Sequence, residues 1–303
     1  MSRPRKVILE DQTLRDGLQF ESRILSLREK TELFQLLVSS GFKRIQVGSF
    51  VHPKIVPQMA DTDELIALVR QTPGVLLTGL VLNEKGLRRA MDCGLTYASM
   101  SVSVSDTHSR KNTNQSAEKA LESMALLIKE AVATGLKVRA GAQCAFGCVY
   151  EGRVPEKTVL NAVGKMAGAG ASEVNLADTT GMANPKKVKQ LVEMVISNFP
   201  EVEISLHLHD TQGFGLVNLL AGYNSGVRLF DVATGGLGGC PFVKGAAGNV
   251  PAEDVVNLLN EMDIESGVDL RTLCKAVAMI ETMLGHRLPG RICRVLRKNE
   301  ECQ

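Results

Sequence analysis

The chain has 303 residues, of which 44% are hydrophobic and 22% are charged, and its formal net charge is only +2. This composition is typical of a soluble globular protein. The small net charge, without a basic stripe interleaved with aromatic residues, argues against nucleic-acid binding. No apolar run approaches the roughly 18–20 residues that cross a bilayer, which argues against a membrane protein.

The first residues carry neither the apolar stretch of a signal peptide nor the acid-poor pattern of a transit peptide, so a cytoplasmic location is expected. The seven cysteines are scattered and odd in number. They fit a reducing compartment better than a disulfide framework.

Eight short β-rich runs follow one another along the chain, and amphipathic helical patterns separate them. The predicted strands are 6–11, 44–50, 75–82, 97–104, 137–143, 172–178, 203–209 and 227–234. The clearest predicted helices are 26–41, 116–135 and 185–199. A serine followed by glutamate opens the second of these helices and a proline opens the third, and both are typical of helix starts.

Strands that alternate with helices form parallel sheets. A doubly wound sheet is the competing architecture, but no G-x-G-x-x-G follows the first strand, and eight β/α units in about 230 residues favour a (β/α)₈ barrel. The sequence therefore predicts an α/β protein with a single TIM-barrel domain. The barrel is expected over about residues 5–250, with a C-terminal helical extension over about 251–303.

In this fold the active site lies at the C-terminal ends of the strands and in the loops that follow them. Reactive side chains of this sequence gather at those positions. They are Asp11, Arg15, Asp16, Gln46, Ser49, Asn83, Cys144, Asp178, Thr179, His207 and His209. A catalytic site at this rim of the barrel is the expected consequence.

The H-x-H motif of His207 and His209 ends the seventh predicted strand. Residues i and i+2 of a strand point to the same side, so both imidazoles can face one metal ion; the alternative is a strand with two polar residues on an exposed face. Asp16 and Asn249 can add oxygen ligands, and this mixed set suits Mg²⁺ or Mn²⁺. Asp210 is expected as a second-layer or turn carboxylate.

Arg15 can pair structurally with the adjacent Asp16, or it can stabilise a carbonyl oxygen that becomes an enolate. Cys240 lies in a glycine-rich stretch, 235–248, which indicates a mobile loop that brings a thiol over the site as proton donor or nucleophile. A phosphate-binding loop is the alternative for these glycines, but no G-K-[ST] follows them.

Six motifs together resemble the 3-hydroxy-3-methylglutaryl-CoA lyase family, within a metal-dependent TIM-barrel superfamily of lyases and acyl-CoA condensing synthases. They are DQTLRDGLQ (11–19), SFVHPKIVPQM (49–59), CAFGCVYEG (144–152), LADTTG (176–181), HLHDTQG (207–213) and GGLGGCPFVKGAAGNVPAEDVV (235–256). The resemblance covers nearly the whole chain, and the GLGGCP loop is typical of the lyase branch.

The resemblance implies a retro-Claisen cleavage of an acyl-CoA that releases acetyl-CoA and a 3-keto acid, as in leucine degradation. It implies Asp16, His207, His209 and Asn249 as ligands of a divalent metal, Mg²⁺ or Mn²⁺. It further implies catalytic roles for Arg15, Cys240, His207, Asp178 and Glu253. A homodimer is expected, and Cys302 is a candidate for a disulfide between subunits.

Three positions depart from the lyase pattern: Leu14 replaces a proline, Ser22 a lysine and Gln46 a glutamate. Gln46 is therefore the candidate residue for substrate specificity. The alternative functions are a lyase, aldolase or condensing synthase of the same superfamily acting on a different acyl-CoA or 2-oxo acid. A non-catalytic scaffold is a third possibility, which the intact ligand set opposes. The length of 303 residues is expected to leave no room for a synthase regulatory region.

Overall fold

The structure is a computed structural model that describes residues 6–239 and 247–301, with side chains to residue 298. Eight parallel strands close into one barrel in chain order. The strands are β1 (Ile8–Asp11), β2 (Arg44–Ser49), β3 (Leu76–Leu80), β4 (Tyr97–Ser103), β5 (Lys137–Gln143), β6 (Glu173–Ala177), β7 (Glu203–His207) and β8 (Leu229–Val232). The predicted (β/α)₈ barrel is confirmed.

Eleven α-helices lie within the described residues and surround or extend the barrel. They are α1 (Leu27–Ser39), α2 (Thr62–Val69), α3 (Glu84–Asp92), α4 (Asp106–Thr113), α5 (Ala117–Ala133), α6 (Glu156–Gly168), α7 (Pro185–Asn198), α8 (Gly215–Asn224), α9 (Ala252–Glu261), α10 (Leu270–Leu284) and α11 (Ile292–Glu301). None of them combines the length and the apolar character that a bilayer crossing requires.

Several helices begin where a capping side chain accepts hydrogen bonds from their free N–H groups. Ser26 and Glu29 form a reciprocal capping box at the start of α1. Ser116 caps α5, and Asn184 caps α7 directly before a proline at its first position. The three helices predicted from the sequence therefore begin within a residue of the predicted position.

The apolar core lies between the barrel and its helices. Strands β2, β6 and β8 are buried along their whole length, as expected for parallel strands covered on both faces. The last strand pairs with the first in register, from Ile8 opposite Leu229 to Asp11 opposite Val232, and this pairing closes the barrel.

The interior of the barrel carries charged side chains, where TIM barrels usually carry branched apolar ones. Arg139 is 2% exposed and forms ion pairs with Glu10 at 2.9 Å, Glu173 at 3.0 Å and Asp231 at 2.5 Å. Arg44 pairs with Glu10 and Glu173 in the same layer. Two arginines and three carboxylates thus fill the floor below the rim.

The C-terminal helices contain a disulfide, although the cysteine count predicted reduced cysteines. Helices α10 and α11 pack so that Cys274 and Cys293 lie with Cα atoms 5.3 Å apart and form a disulfide. Of the described cysteines, Cys93, Cys144 and Cys148 are free. The reduced state expected from the cysteine count therefore does not hold for this pair. The count could not predict the pairing, because Cys274 and Cys293 meet only when α10 packs against α11.

Glu253, in the first turn of α9, supports the turn that follows β8. Its Oε2 accepts a hydrogen bond from the N–H of Gly235 at 2.9 Å. Its Oε1 is buried and has no hydrogen-bond partner among the described residues. Burial raises the pKa of Glu253 to about 7, and the nearby Asp254 and Glu281 act in the same direction. The carboxyl group therefore holds its proton up to near-neutral pH.

We expect Glu253→Gln to change the pH dependence of stability. The folded carboxyl loses its proton near pH 7 but the unfolded one near 4.5, so the free energy of unfolding of the native protein falls as pH rises through that window. Neutral glutamine removes this loss. Urea unfolding should show the variant gaining on the order of 1–3 kcal/mol relative to the native protein between pH 5 and pH 8.

The matched control is Glu261→Gln, at the exposed end of the same helix. Its stability relative to the native protein should not change with pH. Equal pH dependence of the Glu253→Gln variant and the native protein would contradict the assignment.

Candidate active site

A cavity of about 410 Å³ opens at the C-terminal ends of the strands. Its wall contains the predicted site residues Arg15, Asp16, Gln46, His207 and His209. A larger cavity of about 640 Å³ lies beside it, against α4 and α5, but none of these five residues lines that space. The reactive groups therefore identify the smaller cavity as the site.

Asp16, His207 and His209 form a buried cluster whose ligand atoms lie within 4.8 Å of one another. Asp16 belongs to a short helical turn, Thr13–Gly17, that follows β1, and His207 is the last residue of β7. His209 lies beyond the end of that strand and forms an isolated bridge with Asn249. The sequence predicted one longer strand here, and the structure instead uses a second chain segment to hold His209.

The geometry of this cluster fits a metal ion. The Nε2 atoms of His207 and His209 are 3.0 Å apart, and each lies 3.9 Å from Asp16 Oδ2. Two nitrogens bound at right angles to one ion, at about 2.1 Å each, are separated by about 3.0 Å. Burial and the neighbouring His207 lower the pKa of His209 to about 4, which keeps a lone pair available at neutral pH.

The carboxyl group of Asp16 is also suited to a metal. Burial opposes its ionisation, but the charge of Arg15 and the two histidines outweigh burial and hold the pKa of Asp16 below its ordinary value. An ionised carboxylate beside two imidazole nitrogens is a donor set that divalent ions bind.

Asn249 reaches the cluster because its segment pairs with the end of β7. Asp210 N donates to Gly248 O at 3.0 Å and Val250 N donates to Leu208 O at 3.1 Å, which sets Asn249 beside His209. The Asn249 amide donates to Asp16 Oδ2 at 2.7 Å, while its Oδ1 is buried without a hydrogen-bond partner among the described residues. That unpartnered oxygen is available as a fourth ligand.

Two glycines allow this close approach. Gly238 has φ +121°, and a Cβ atom there would lie 2.5 Å from the Asn249 amide nitrogen. A Cβ atom on Gly248 would lie 2.4 Å from the backbone of Gly238. Only glycine accommodates both contacts, so the two ends of the glycine-rich segment meet against the ligand cluster.

Arg15 is held at the wall of the cavity by three acceptors. Its Nε donates to Gln46, one Nη donates to Asp16 and the other donates to Gln12 at 3.1 Å. A guanidinium group has five N–H donors, so two remain for a ligand. The structural pairing with Asp16 and a catalytic role are thus compatible, and both Gln46 and Arg15 face the cavity.

Asp178 and Glu253, also predicted as catalytic, do not line this cavity. Asp178 Oδ1 accepts hydrogen bonds from the N–H groups of Met182 and Ala183, and its Oδ2 is buried without a hydrogen-bond partner among the described residues. Burial raises the pKa of Asp178 to about 6. Glu253 lies behind the turn after β8, as described above. Asp210 caps the next turn through Gly215, in line with the predicted turn role.

The cavity also contains two charged residues that sequence analysis did not select, Arg139 and Asp231. Asp231 Oδ2 lies 3.0 Å from His207 Nδ1. Burial opposes its charge, but Arg139 and His207 hold the pKa of Asp231 at about 2. A signal was present, since each is a charged residue in the interior of a predicted strand, KVRAGAQ and VRLFDVAT.

Cys240 and Cys302 lie outside the described residues, so their predicted roles stay predictions. The nearest described residue to Cys240 is Gly239, which lines the cavity.

The chain is similar to known proteins over nearly its whole length. Residues 6–280 match the HMGL-like family. A 3-hydroxy-3-isohexenylglutaryl-CoA/hydroxymethylglutaryl-CoA lyase of Pseudomonas aeruginosa is 37% identical over 296 residues, 98% of this chain and 99% of that protein.

Two solved structures are also similar. Hydroxymethylglutaryl-CoA lyase of Bacillus subtilis superposes with a TM-score of 0.94 at 36% identity, covering 98% of this chain and 100% of that one. The Acinetobacter baumannii lyase in complex with coenzyme A and 3-methylmalate has a TM-score of 0.91 at 34% identity, covering 97% and 96%. The chain therefore belongs to the HMGL-like family, as its motifs predicted, and is a carbon–carbon lyase.

Proposed function

We propose that the chain cleaves 3-hydroxy-3-methylglutaryl-CoA, or a close analogue, into acetyl-CoA and a 3-keto acid, acetoacetate for the parent substrate. The observation that carries the proposal is the buried Asp16–His207–His209 cluster beside the free donors of Arg15, at the strand ends of the barrel. Similar proteins named as lyases of this substrate support it, and they do not favour the synthase or aldolase alternatives.

The proposed metal ligands are Asp16, His207, His209 and the amide oxygen of Asn249. A divalent ion, Mg²⁺ or Mn²⁺, supplies Lewis acidity toward the substrate oxygens when it is bound. The family is metal-dependent, and the fit of the ligand cluster supports the same for this chain. His207 would hold the ion through the lone pair on Nε2, and its catalytic role would be that of a metal ligand.

The protein's own residues supply the remaining chemistry of a retro-Claisen reaction. A base takes the proton of the C3 hydroxyl, the bond between C2 and C3 breaks, and the acetyl-CoA enolate leaves. The two free N–H donors of Arg15 stabilise the enolate oxygen. Asp178 does not line the cavity in this structure, so its predicted catalytic role stays a prediction, which its raised pKa and unpartnered oxygen support. The thiol of Cys240 then gives its proton to the enolate carbon.

The cavity beside the site is the reason to include close analogues. It shares Leu82, Asn83, Ser101, Asn112, Thr113 and Gln143 with the wall of the active-site cavity. A substrate with a longer chain on C3 can extend there without displacing the reacting atoms. A cytoplasmic homodimer acting in leucine degradation completes the proposal.

We expect His207→Ala or His209→Ala to lose bound divalent metal and lyase activity together while the barrel remains folded. Each substitution removes one nitrogen ligand and leaves the strands intact. Metal content after dialysis, acetyl-CoA release and circular dichroism are the measurements. His52→Ala is the control, because this exposed histidine lines the same cavity outside the cluster. Full activity with metal removed by a chelator would refute the metal assignment.

We expect Cys240→Ser to lower the rate by about 10²-fold or more, as for a lost acid–base group. The free energy of unfolding should stay near that of the native protein. An assay of acetyl-CoA release measures the rate, and urea unfolding measures the free energy of unfolding. Cys93→Ser, at the C-terminal end of α3, is the control and should keep its activity. A serine variant as active as the native protein would show that the Cys240 thiol has no chemical role in the reaction.

Gln46 is proposed to set specificity through Arg15. A glutamate at this position would keep the shape of glutamine but bind the guanidinium with a full charge. We expect Gln46→Glu to raise cleavage of hydroxymethylglutaryl-CoA by at least roughly tenfold, about 1.4 kcal/mol in the barrier. The measurement is kcat/KM for that thioester and for analogues with longer C3 substituents.

The control is Gln143→Glu, which adds the same charge to the cavity wall next to Ser101 instead of Arg15. It should not accelerate the reaction. If the native protein already cleaves hydroxymethylglutaryl-CoA at ordinary enzyme rates and the Gln46→Glu variant is no faster, Gln46 does not set specificity.

A further inference from the structure

His207 and Asp231 are paired residues of neighbouring strands. They lie opposite each other in the register between β7 and β8. The Nδ1 atom of His207 is 3.0 Å from Asp231 Oδ2, and the Asp231 side chain is 3% exposed. The other ring nitrogen, Nε2, faces His209 and Asp16. The two sides of one imidazole thus meet a buried carboxylate and the metal cluster.

We propose that Asp231 is a positioning residue that keeps the proton of His207 on Nδ1 and so leaves the Nε2 lone pair for the metal ion. The inference rests on the metal part of the proposed function. A metal-binding histidine needs one ring nitrogen free of hydrogen, and the hydrogen bond at the other nitrogen decides which one that is.

The surroundings of Asp231 make it an acceptor only. Arg139 Nη2 donates to both of its oxygens at 2.5 Å. A guanidinium group carries only donors, so it cannot accept a hydrogen bond from a protonated Asp231. The hydrogen between Asp231 and His207 therefore belongs to the histidine.

Arg139 is itself fixed from two further directions. Its guanidinium group lies 2.9 Å from Glu10 and 3.0 Å from Glu173. The orientation of Asp231 is thus set by a buried framework, independently of whether a metal ion is bound. His209 differs, because its Nδ1 is buried with no hydrogen-bond partner among the described residues. The framework selects the tautomer of one of the two histidines.

Glu173 provides the control that distinguishes a positioning role of Asp231 from a purely structural one. It is a buried carboxylate that contacts Arg139 and Arg44, as Asp231 contacts Arg139, and it accepts hydrogen bonds from Tyr97 and Ser205. None of its described contacts is with a histidine. A substitution at residue 173 therefore disturbs the same charge framework without changing the partner of His207.

The experiment compares Asp231→Asn and Glu173→Gln by titration with Mn²⁺ alone, without substrate. The asparagine removes the charge and places an N–H₂ group where an acceptor is needed, against Arg139 or against His207 Nδ1. We expect Asp231→Asn to weaken Mn²⁺ binding 10- to 100-fold, as outer partners of metal ligands do. Glu173→Gln should remain within about threefold of the native protein.

A second measurement needs no variant. Nitrogen-15 NMR of the metal-free native protein reports which nitrogen of His207 carries hydrogen, with assignment by comparison with His207→Ala. We expect hydrogen on Nδ1. A native His207 with hydrogen on Nε2, equal Mn²⁺ affinity of Asp231→Asn and native protein, or an equal loss in Glu173→Gln would each overturn the proposal.

These results are independent of the reaction. If the native protein binds Mn²⁺ and shows the expected tautomer but cleaves no acyl-CoA, the proposed function fails and the inference stands. If it cleaves the substrate while Asp231→Asn binds Mn²⁺ as tightly as the native protein, the inference alone fails.

Discussion

The buried charge of Arg139 is the constraint on which the interior of this barrel depends. A guanidinium group that is almost fully removed from water is tolerated only when it is paired. Here Glu10, Glu173 and Asp231 surround it from β1, β6 and β8. Removing one partner of such a pair costs about 3–5 kcal/mol, because a charge is left uncompensated in the interior. The framework therefore fixes the relative positions of four strands, because Arg139 itself lies on β5.

The same framework reaches the two ends of the active site. On one side Asp231 contacts His207. On the other side Glu10 accepts a hydrogen bond from Gln12 at 3.2 Å, and Gln12 accepts one from Arg15 at 3.1 Å. The electrophilic arginine and a metal ligand are thus both held from below by one set of ion pairs. Such support is what a preorganised site requires, since its dipoles must be in place before the reaction begins.

Much of this arrangement follows from the sequence, and the remainder depends on register. The H-x-H spacing and the alternation of strands and helices place His207, Asp16 and Gln46 at one rim, because all parallel strands of a barrel end on the same side. The pairing of His207 with Asp231 depends instead on how β7 aligns with β8, and a shift of one residue would separate them. Periodicity carries no information on that alignment.

Glu253 shows a second limit of sequence reasoning. The family resemblance implied a catalytic role for Glu253. In the fold Glu253 lies in the first turn of α9, and its carboxyl group accepts a hydrogen bond from Gly235 outside the lining of the active-site cavity. The disulfide between Cys274 and Cys293 is a comparable case, since helix packing brings together residues that no spacing rule connects.

The charge balance of the cavity depends on the residue at position 46. The arginines and acids that line the cavity are Arg15, Arg139, Asp16 and Asp231, so their charges sum to zero. A divalent ion would raise the sum to +2, and a glutamate at position 46 would reduce it to +1. Glutamine holds one nitrogen of Arg15 through a neutral oxygen, whereas a glutamate would hold the same nitrogen with a full charge. Residue 46 therefore bears on the reaction through Arg15: a firmer hold on the guanidinium group keeps its two free donors in place for the enolate oxygen.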